Sequence, residues 1–287
     1  MLALQLLVNG LVTGSALGLV AVSFSLIYST TKIFHVAHAG IYTTAGYISW
    51  ALARSGMPDI ISLAGAILVC VCLGAAIQHF LYARLEQRRA TPLVVLIASL
   101  GTLAVIQNII SAVCSPNILQ FPVPWSSRML TMGGLRLTYT QILTVIVSMT
   151  ACAGTIWFFH RTILGKQIRA VASNPFLAEI TRLRPGMIHV IVMAIGSALV
   201  ALPGILVPLD LGLQPYGGIT PLLTATIAMI AGGIGSIIGS FVIAIGIAVL
   251  QNLSLLLIPG EWSIGITFFI FVIFMLFRPT GLFARAR

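Results

Sequence analysis

The chain has 287 residues, of which 59% are hydrophobic and 7% are charged, and its formal net charge is +10. A soluble domain carries roughly 25% charged residues, so this composition excludes a water-soluble globular protein and predicts a polytopic membrane protein. The basic residues stand mainly at the ends of apolar runs, a distribution typical of membrane orientation rather than nucleic-acid binding. We therefore expect the lipid bilayer, and no nucleic acid, as a partner.

Nine apolar runs follow one another along the chain, separated by Pro, Gly or charged residues. A membrane-spanning helix needs about 20 apolar residues, and fewer where the helix is broken. The runs therefore predict an all-α helical bundle of eight or nine spans that forms a single domain, residues 1–287. The runs cover residues 3–28, 36–53, 60–83, 92–114, 138–160, 186–209, 219–232, 235–258 and 262–278.

The Lys and Arg residues indicate how the chain is oriented. With nine crossings, the N-terminus outside and the C-terminus inside, twelve of the fifteen lie inside, and only Arg54, Arg128 and Arg136 lie outside. The run 219–232 is short and ends in Gly232-Gly233, so a segment that enters the membrane and returns is the alternative. That alternative would move the three arginines after residue 277 outside, and the charge distribution favours the full crossing.

A polar segment, residues 161–185, interrupts the apolar pattern and is predicted to lie inside. Asn174-Pro175 predicts a helix start, since Asn caps backbone N–H groups and Pro tolerates the first helical position. This helix would cover residues 176–183 and stop at Pro185-Gly186, after a separate helical piece over residues 165–173. The segment holds five basic residues, which are Arg161, Lys166, Arg169, Arg182 and Arg184.

The segment 161–185 has two interpretations. It is either a plain basic connector with a helix on the membrane surface or a docking element for a cytoplasmic partner. In the second interpretation, Phe176, Leu177 and Ile180 would enter a groove of the partner.

Short or glycine-interrupted runs in both halves of a transporter indicate its substrate pathway. Here the candidates are residues 34–46, with His35 and His38, and residues 212–236. The two histidines stand three apart and would share a helical face. Hydrogen bonding between helices is favoured over a direct ligand role, and the absence of a nearby Cys or carboxylate argues against a metal site.

The sequence contains no buried carboxylate, carboxylate pair or nucleophile–base set, so we assign no catalytic residues and no cofactor. All five acidic residues stand near span ends or in loops. Because ion-driven carriers usually need an intramembrane acid or a broken-helix ion site, this weakens an ion-coupled transporter or channel, which stays as the alternative. A membrane scaffold without transport is a further alternative.

Four segments, in order, resemble the LivH-like permease subunits of branched-chain amino-acid ABC importers. Relative to the usual family pattern, His35 replaces Asn, Ala39 replaces Gly, and Arg182 stands where the family loop has glycine. The segments are Leu26–Tyr28 with Phe34–Gly40, Gly165–Ala172 continuing to Asn174 and Ala178, Gly232–Gly239, and Arg278–Phe283.

The resemblance implies a permease of the bacterial inner membrane that imports branched-chain or related amino acids. It implies a second permease subunit, two cytoplasmic ATPase subunits that hydrolyse ATP, and a periplasmic substrate-binding protein as partners. The residues expected to couple to the ATPase are Gly165, Arg169, Ala170, Asn174, Pro175, Phe176, Ala178 and Ile180. The candidate pathway residues are His35, His38, Gly40, Gly232, Gly233 and Gly235.

Overall fold

The computed structural model of the protein describes residues 1–122, 129–132, 134–278 and 281–283. Helices dominate these residues, and each of the nine predicted runs forms a helix. The α-helices are α1 (Leu2–Thr31), α2 (His38–Arg54), α3 (Asp59–Ala76), α4 (Ala83–Gln87), α5 (Pro92–Cys114), α6 (Tyr139–Arg161), α7 (Ile163–Ser173), α8 (Pro175–Ile180), α9 (Pro185–Leu211), α10 (Ile219–Gly232), α11 (Ile237–Ser254) and α12 (Ser263–Phe277).

Seven helical segments of the described residues are long and apolar enough to cross a membrane. One of them, Asp59–Gln87, is continuous through α3, the π-helical segment Ile77–Tyr82 and α4. Two predicted runs form helical segments shorter than these seven, namely α2, with 17 residues, and α10, with 14, whereas α12 reaches 18 residues together with the 3-10 turn Gly260–Trp262. At 1.5 Å per residue, α10 measures about 21 Å, less than the ~30 Å hydrocarbon core of a bilayer.

Helix α1 runs through the centre of the bundle, and every residue from Gly14 to Ile27 is buried. It packs antiparallel to α11 through glycines four residues apart. A Cβ atom on Gly10 or Gly14 would lie 2.7 Å from the Cα atom of Val249 or Ile245, respectively. Glycine at these positions therefore lets the two backbones approach closely, as in other membrane helix pairs.

A short β-hairpin corrects the all-α prediction. Strands β1 (Met129–Met132) and β2 (Leu135–Thr138) pair antiparallel, with Met129 opposite Thr138. Four-residue strands carry too little pattern to stand out in a loop sequence. The side chain of Gln5 at the start of α1 donates a hydrogen bond to the Arg136 carbonyl (2.8 Å) and accepts one from the Arg136 amide (2.9 Å).

The hairpin is also fixed to the end of α9, and we call this end of the bundle the hairpin end. One carboxylate oxygen of Asp210 accepts hydrogen bonds from the hydroxyl groups of Thr138 (3.0 Å) and Thr140 (3.1 Å), and the other accepts one from the Gln141 amide group (3.1 Å).

The residues that carry predictions but lie outside the described ranges are Arg128, Pro279, Thr280, Arg285 and Arg287.

Candidate translocation pathway and coupling loop

The segment 161–185 contains two helices, α7 and α8, which lie against the end of the bundle opposite the hairpin. We call this end of the bundle the loop end. The hydroxyl of Thr162 accepts a hydrogen bond from the Gly165 amide (3.0 Å) and so caps α7. A Cβ atom on Gly165 would lie 2.7 Å from the Cα atom of Phe159, so α7 packs tightly on α6. Ile168 and Val171 are buried and belong to the main hydrophobic core.

Helix α8 begins where the sequence predicts, because the Asn174 side chain accepts a hydrogen bond from the Leu177 amide (3.1 Å). Phe176, Leu177 and Ile180 are 70%, 57% and 65% exposed, respectively. The remaining predicted coupling residues Arg169, Ala170 and Pro175 are also exposed.

Ala178 departs from the predicted coupling surface. It is only 4% exposed and belongs to the main hydrophobic core, so it anchors α8 on the bundle and offers little surface to a partner. Because an Ala178 side chain points inward, a charged substitution here would be buried instead of standing on a docking face.

The end of α8 corrects the prediction of a helix that reaches residue 183. The Arg182 amide donates to the Glu179 carbonyl (2.9 Å) and the Leu183 amide to the Ala178 carbonyl (3.1 Å), which is the Schellman pattern of a helix C-terminus. Arg182 has a φ of 63°, the left-handed conformation that favours glycine. Pro185 does not stop this helix; it begins α9.

The predicted histidines belong to a buried hydrogen-bond network. His38 Nε2 lies 2.8 Å from the Ser23 hydroxyl of α1, and His35 Nδ1 lies 2.7 Å from the Tyr82 hydroxyl. The Tyr82 hydroxyl donates to the Ser99 hydroxyl of α5 (2.8 Å). All five side chains are at most 1% exposed. Because the His38 amide donates to the His35 carbonyl (3.1 Å), these bonds together join α1, the start of α2, the π-helical segment and α5.

The two short helices meet inside the bundle. Helix α2 begins beside Ser23, eight residues before the end of α1 and so about 12 Å from it along the helix. The backbone of Gly218, just before α10, packs against the Ala39 carbonyl of α2. Residues 212–218 therefore enter the bundle from the hairpin end, and α10 covers the remaining distance to the loop end.

A cavity of about 250 Å³ lies where residues 212–218 enter the bundle. Its lining is mostly apolar and contains no charged side chain from the described residues. The lining residues are Tyr42, Thr43, Val207, Pro208, Leu211, Gly212, Leu213, Gln214, Gly217, Gly218 and Pro221. The sequence indicated the segments 34–46 and 212–236, but the part that α9 plays in the cavity was missed, since its prolines read only as apolar residues inside a long helix.

The predicted glycines fall into two separate places. Gly40 lies in α2 and faces Ile106 of α5. Gly232, Gly233 and Gly235 form the turn between α10 and α11 at the loop end, where the Gly235 amide donates a hydrogen bond to the Ser25 hydroxyl (3.1 Å). The structure therefore brings neither this turn nor the histidines to the cavity lining.

Tyr82, Ser99 and Asp210 are polar residues of the structure that no sequence pattern indicated. Each stands alone in or beside an apolar run, and its hydrogen-bond partners are distant in the chain. Its polarity was therefore the one sequence signal that could have indicated it. In the part of the chain that the structure describes, no group of three or more metal-ligating side chains occurs.

The chain is similar to known proteins over nearly its whole length. The permease protein BraD of a high-affinity branched-chain amino acid transport system in Pseudomonas aeruginosa is 26% identical over 98% of this chain and 96% of its own length. The corresponding LivH proteins of Salmonella typhimurium and Escherichia coli are 25% and 24% identical over the same shares. PsaBC from Streptococcus pneumoniae, solved in complex with Fab, has a similar fold, with 14% identity, a TM-score of 0.51 and coverage of 96% of this chain and 91% of that chain.

A family model described as the permease component of the branched-chain amino acid transport system matches residues 6–275. This range contains the histidine network, the cavity, α7 and α8, and the turn after α10. The chain belongs to the family of branched-chain amino acid transport system permease components.

Proposed function

We propose that this chain is the permease subunit of an ATP-driven importer that carries branched-chain or related amino acids across the bacterial inner membrane. The observation that carries the proposal is the exposed apolar face of α8, formed by Phe176, Leu177 and Ile180. Exposed apolar groups that cluster on a polar loop are typical of a surface that binds another protein. We assign this face to a cytoplasmic ATPase subunit.

In this proposal the helices of the nine apolar runs cross the membrane, with the N-terminus outside and the loop end in the cytoplasm. Ten of the Lys and Arg residues in the described ranges belong to the loop end, and two, Arg54 and Arg136, belong to the hairpin end. This distribution supports a cytoplasmic loop end. Residues 212–232 then make one crossing, because α10 starts beside Ala39 and continues to the loop end.

The complete transporter would contain a second permease subunit, two ATPase subunits that hydrolyse ATP, and a periplasmic binding protein at the hairpin end. The names of the BraD and LivH relatives support an aliphatic amino acid as cargo. The cavity beside Tyr42 and Pro208 supports the same cargo class, because an apolar lining favours an aliphatic side chain.

Movement of the ATPase subunits would reach the bundle through α7 and α8. Ala178 and Leu183 hold α8 on the main core, and the backbone of Gly165 lies against Phe158 and Phe159 of α6. A force on Phe176 is therefore carried into the spanning helices by packed contacts and not by a flexible tether. Such an element can bias the bundle between two conformations.

The substitution Phe176→Asp tests the docking face, with Met57→Asp as the matched control. Met57 is an exposed apolar residue in the turn between α2 and α3, away from the loop end. We expect Phe176→Asp to lower co-purification of the ATPase subunits and ATP-dependent leucine uptake in proteoliposomes by roughly 30-fold, as for a central interface residue. The control should keep both.

Unchanged co-purification and uptake in the Phe176→Asp variant would contradict the docking role of α8. Uptake that follows an imposed ion gradient in proteoliposomes without any ATPase subunit would instead support the ion-coupled alternative.

A further inference from the structure

Two glycine-containing segments, about 40 residues apart in the chain, contact each other at the loop end. One is the turn from Gly232 to Gly239, between α10 and α11. The other is the described C-terminal segment Gly281–Phe283, which follows α12. Both were noted in the sequence as family landmarks, and the docking and cargo roles proposed above use neither.

The C-terminal segment supplies hydrogen bonds to the end of α10. The amide of Leu282 donates to the Ala231 carbonyl (2.9 Å), and the amide of Phe283 donates to the Gly232 carbonyl (3.3 Å). The last carbonyl groups of a helix have no partner within the helix itself. The segment Gly281–Phe283 therefore caps α10 from a distant part of the chain.

The contact is also close enough to require glycine on both sides. Gly281 has a φ of 88°, and a Cβ atom on it would lie 2.7 Å from the Cα atom of Gly233. The Cβ atom of Phe283 lies 2.9 Å from the position that a Cβ atom on Gly239 would take. Larger residues would push the segment away from the turn.

Helix α10 connects this contact to the cavity. Its first residues follow Gly217 and Gly218 of the cavity lining. At its other end, the C-terminal segment bonds to its last carbonyl groups, and Ser25 of α1 accepts a hydrogen bond from Gly235 in the turn that follows. The cavity and the C-terminal segment therefore lie at opposite ends of one 14-residue helix.

We propose that Gly281–Phe283 is a positioning element for transport, which holds the loop end of α10 against α1 and releases it when the pathway opens toward that end. The element acts through backbone hydrogen bonds at the loop end, and none of its residues lines the cavity. The part of this inference that concerns transport rests on the proposed function, whereas the part that concerns the position of α10 does not.

The first test compares two deletions, residues 281–287 and residues 284–287, which differ by the three residues of the positioning element. The readout is maleimide labelling of Ser29→Cys in the purified permease in detergent, where both ends of the bundle are accessible, on a background without the four native cysteines. The Cβ atom of Ser29 lies 3.3 Å from the Cβ position of Gly235, so it reports on the turn. Loss of two backbone hydrogen bonds should raise the labelling rate about tenfold in the longer deletion. Equal rates overturn the proposal.

A second pair keeps the chain at full length. Gly281→Val introduces a clash with Gly233, whereas Gly56→Val imposes a similar backbone strain, with a φ of 85°, at a position without neighbours within 4 Å among the described residues. We expect faster labelling of Ser29→Cys only with Gly281→Val. The same labelling rate with both substitutions contradicts the proposal.

The transport readout is leucine uptake per ATP hydrolysed by the assembled complex in proteoliposomes. We expect this ratio to fall severalfold with Gly281→Val while co-purification of the ATPase subunits is unchanged. Faster labelling with an unchanged ratio overturns the role in transport and leaves a structural cap. If the unsubstituted complex hydrolyses no ATP during uptake, the proposed function fails, and the labelling comparison still decides whether the segment holds α10.

Discussion

The hydroxyl of Ser25 accepts a hydrogen bond from the amide of Gly235 over 3.1 Å, although 210 residues separate them. Two residues earlier on the same helix, Ser23 bonds to His38. Residues two apart on a helix point to nearly opposite sides, so α1 holds the start of α2 on one side and the turn after α10 on the other. The central helix α1 thus contacts both segments that the sequence indicates as the substrate pathway, residues 34–46 and 212–236.

Replacing Ser25 should loosen the turn after α10. Ser25→Ala removes the acceptor of the Gly235 amide and should lower the free energy of unfolding by about 1 kcal/mol. Thermal unfolding of the purified permease in detergent measures this. Ser29→Ala is the control, because the Ser29 hydroxyl bonds only to the Leu26 carbonyl of its own helix among the described residues. Equal losses for both variants would show that the Gly235 contact contributes nothing.

Two buried tyrosines should respond differently to loss of the hydroxyl. Tyr82→Phe deprives His35 and Ser99 of a partner in the buried network and should cost about 1–3 kcal/mol of stability. Tyr47→Phe should cost less than this, because the Tyr47 hydroxyl is buried without a hydrogen-bond partner among the described residues. The unfolding midpoints of the two variants give the comparison, and a larger loss for Tyr47→Phe would refute the importance of the network.

The contact between α1 and α11 should tolerate no side chain at its centre. Alanine favours a helix over glycine by about 1 kcal/mol, so Gly101→Ala, in open space on α5, should be neutral or stabilising. Gly14→Ala places a methyl group 2.7 Å from the Ile245 Cα atom and should cost about 1–3 kcal/mol as the helices separate. Yield of folded permease and its unfolding midpoint test this, and equal stability of the variants would contradict it.

Glycine should be better than arginine at the end of α8. Arg182→Gly relieves the left-handed conformation at a φ of 63° and should raise stability by about 1 kcal/mol. Arg184→Gly, two residues later at a φ of −103°, should not stabilise, because any residue adopts that conformation. Unfolding of both variants under the same conditions makes the comparison. A gain with Arg184→Gly alone would be the opposite of what the backbone conformations predict.

Local chemistry accounts for the features that the sequence predicted. The nine apolar runs became helices because hydrophobic length is a property of each run, and α8 began after Asn174 because a cap forms within a few residues. Position 182 was singled out by the family resemblance alone, and the helix end that the structure shows there is also formed by neighbouring residues. In each case the interacting groups are close together in the chain.

The remaining features depend on groups that are far apart in the chain. The packing of α8 on the bundle determines that Ala178 faces the core and not a partner. The hairpin is held in place by Gln5 and Asp210, which lie outside it. The sequence by itself determined a helical membrane permease with a polar loop that contains a capped helix. Only the tertiary structure decided that α10 starts at a cavity and ends under Gly281–Phe283, because these contacts join residues that no local pattern relates.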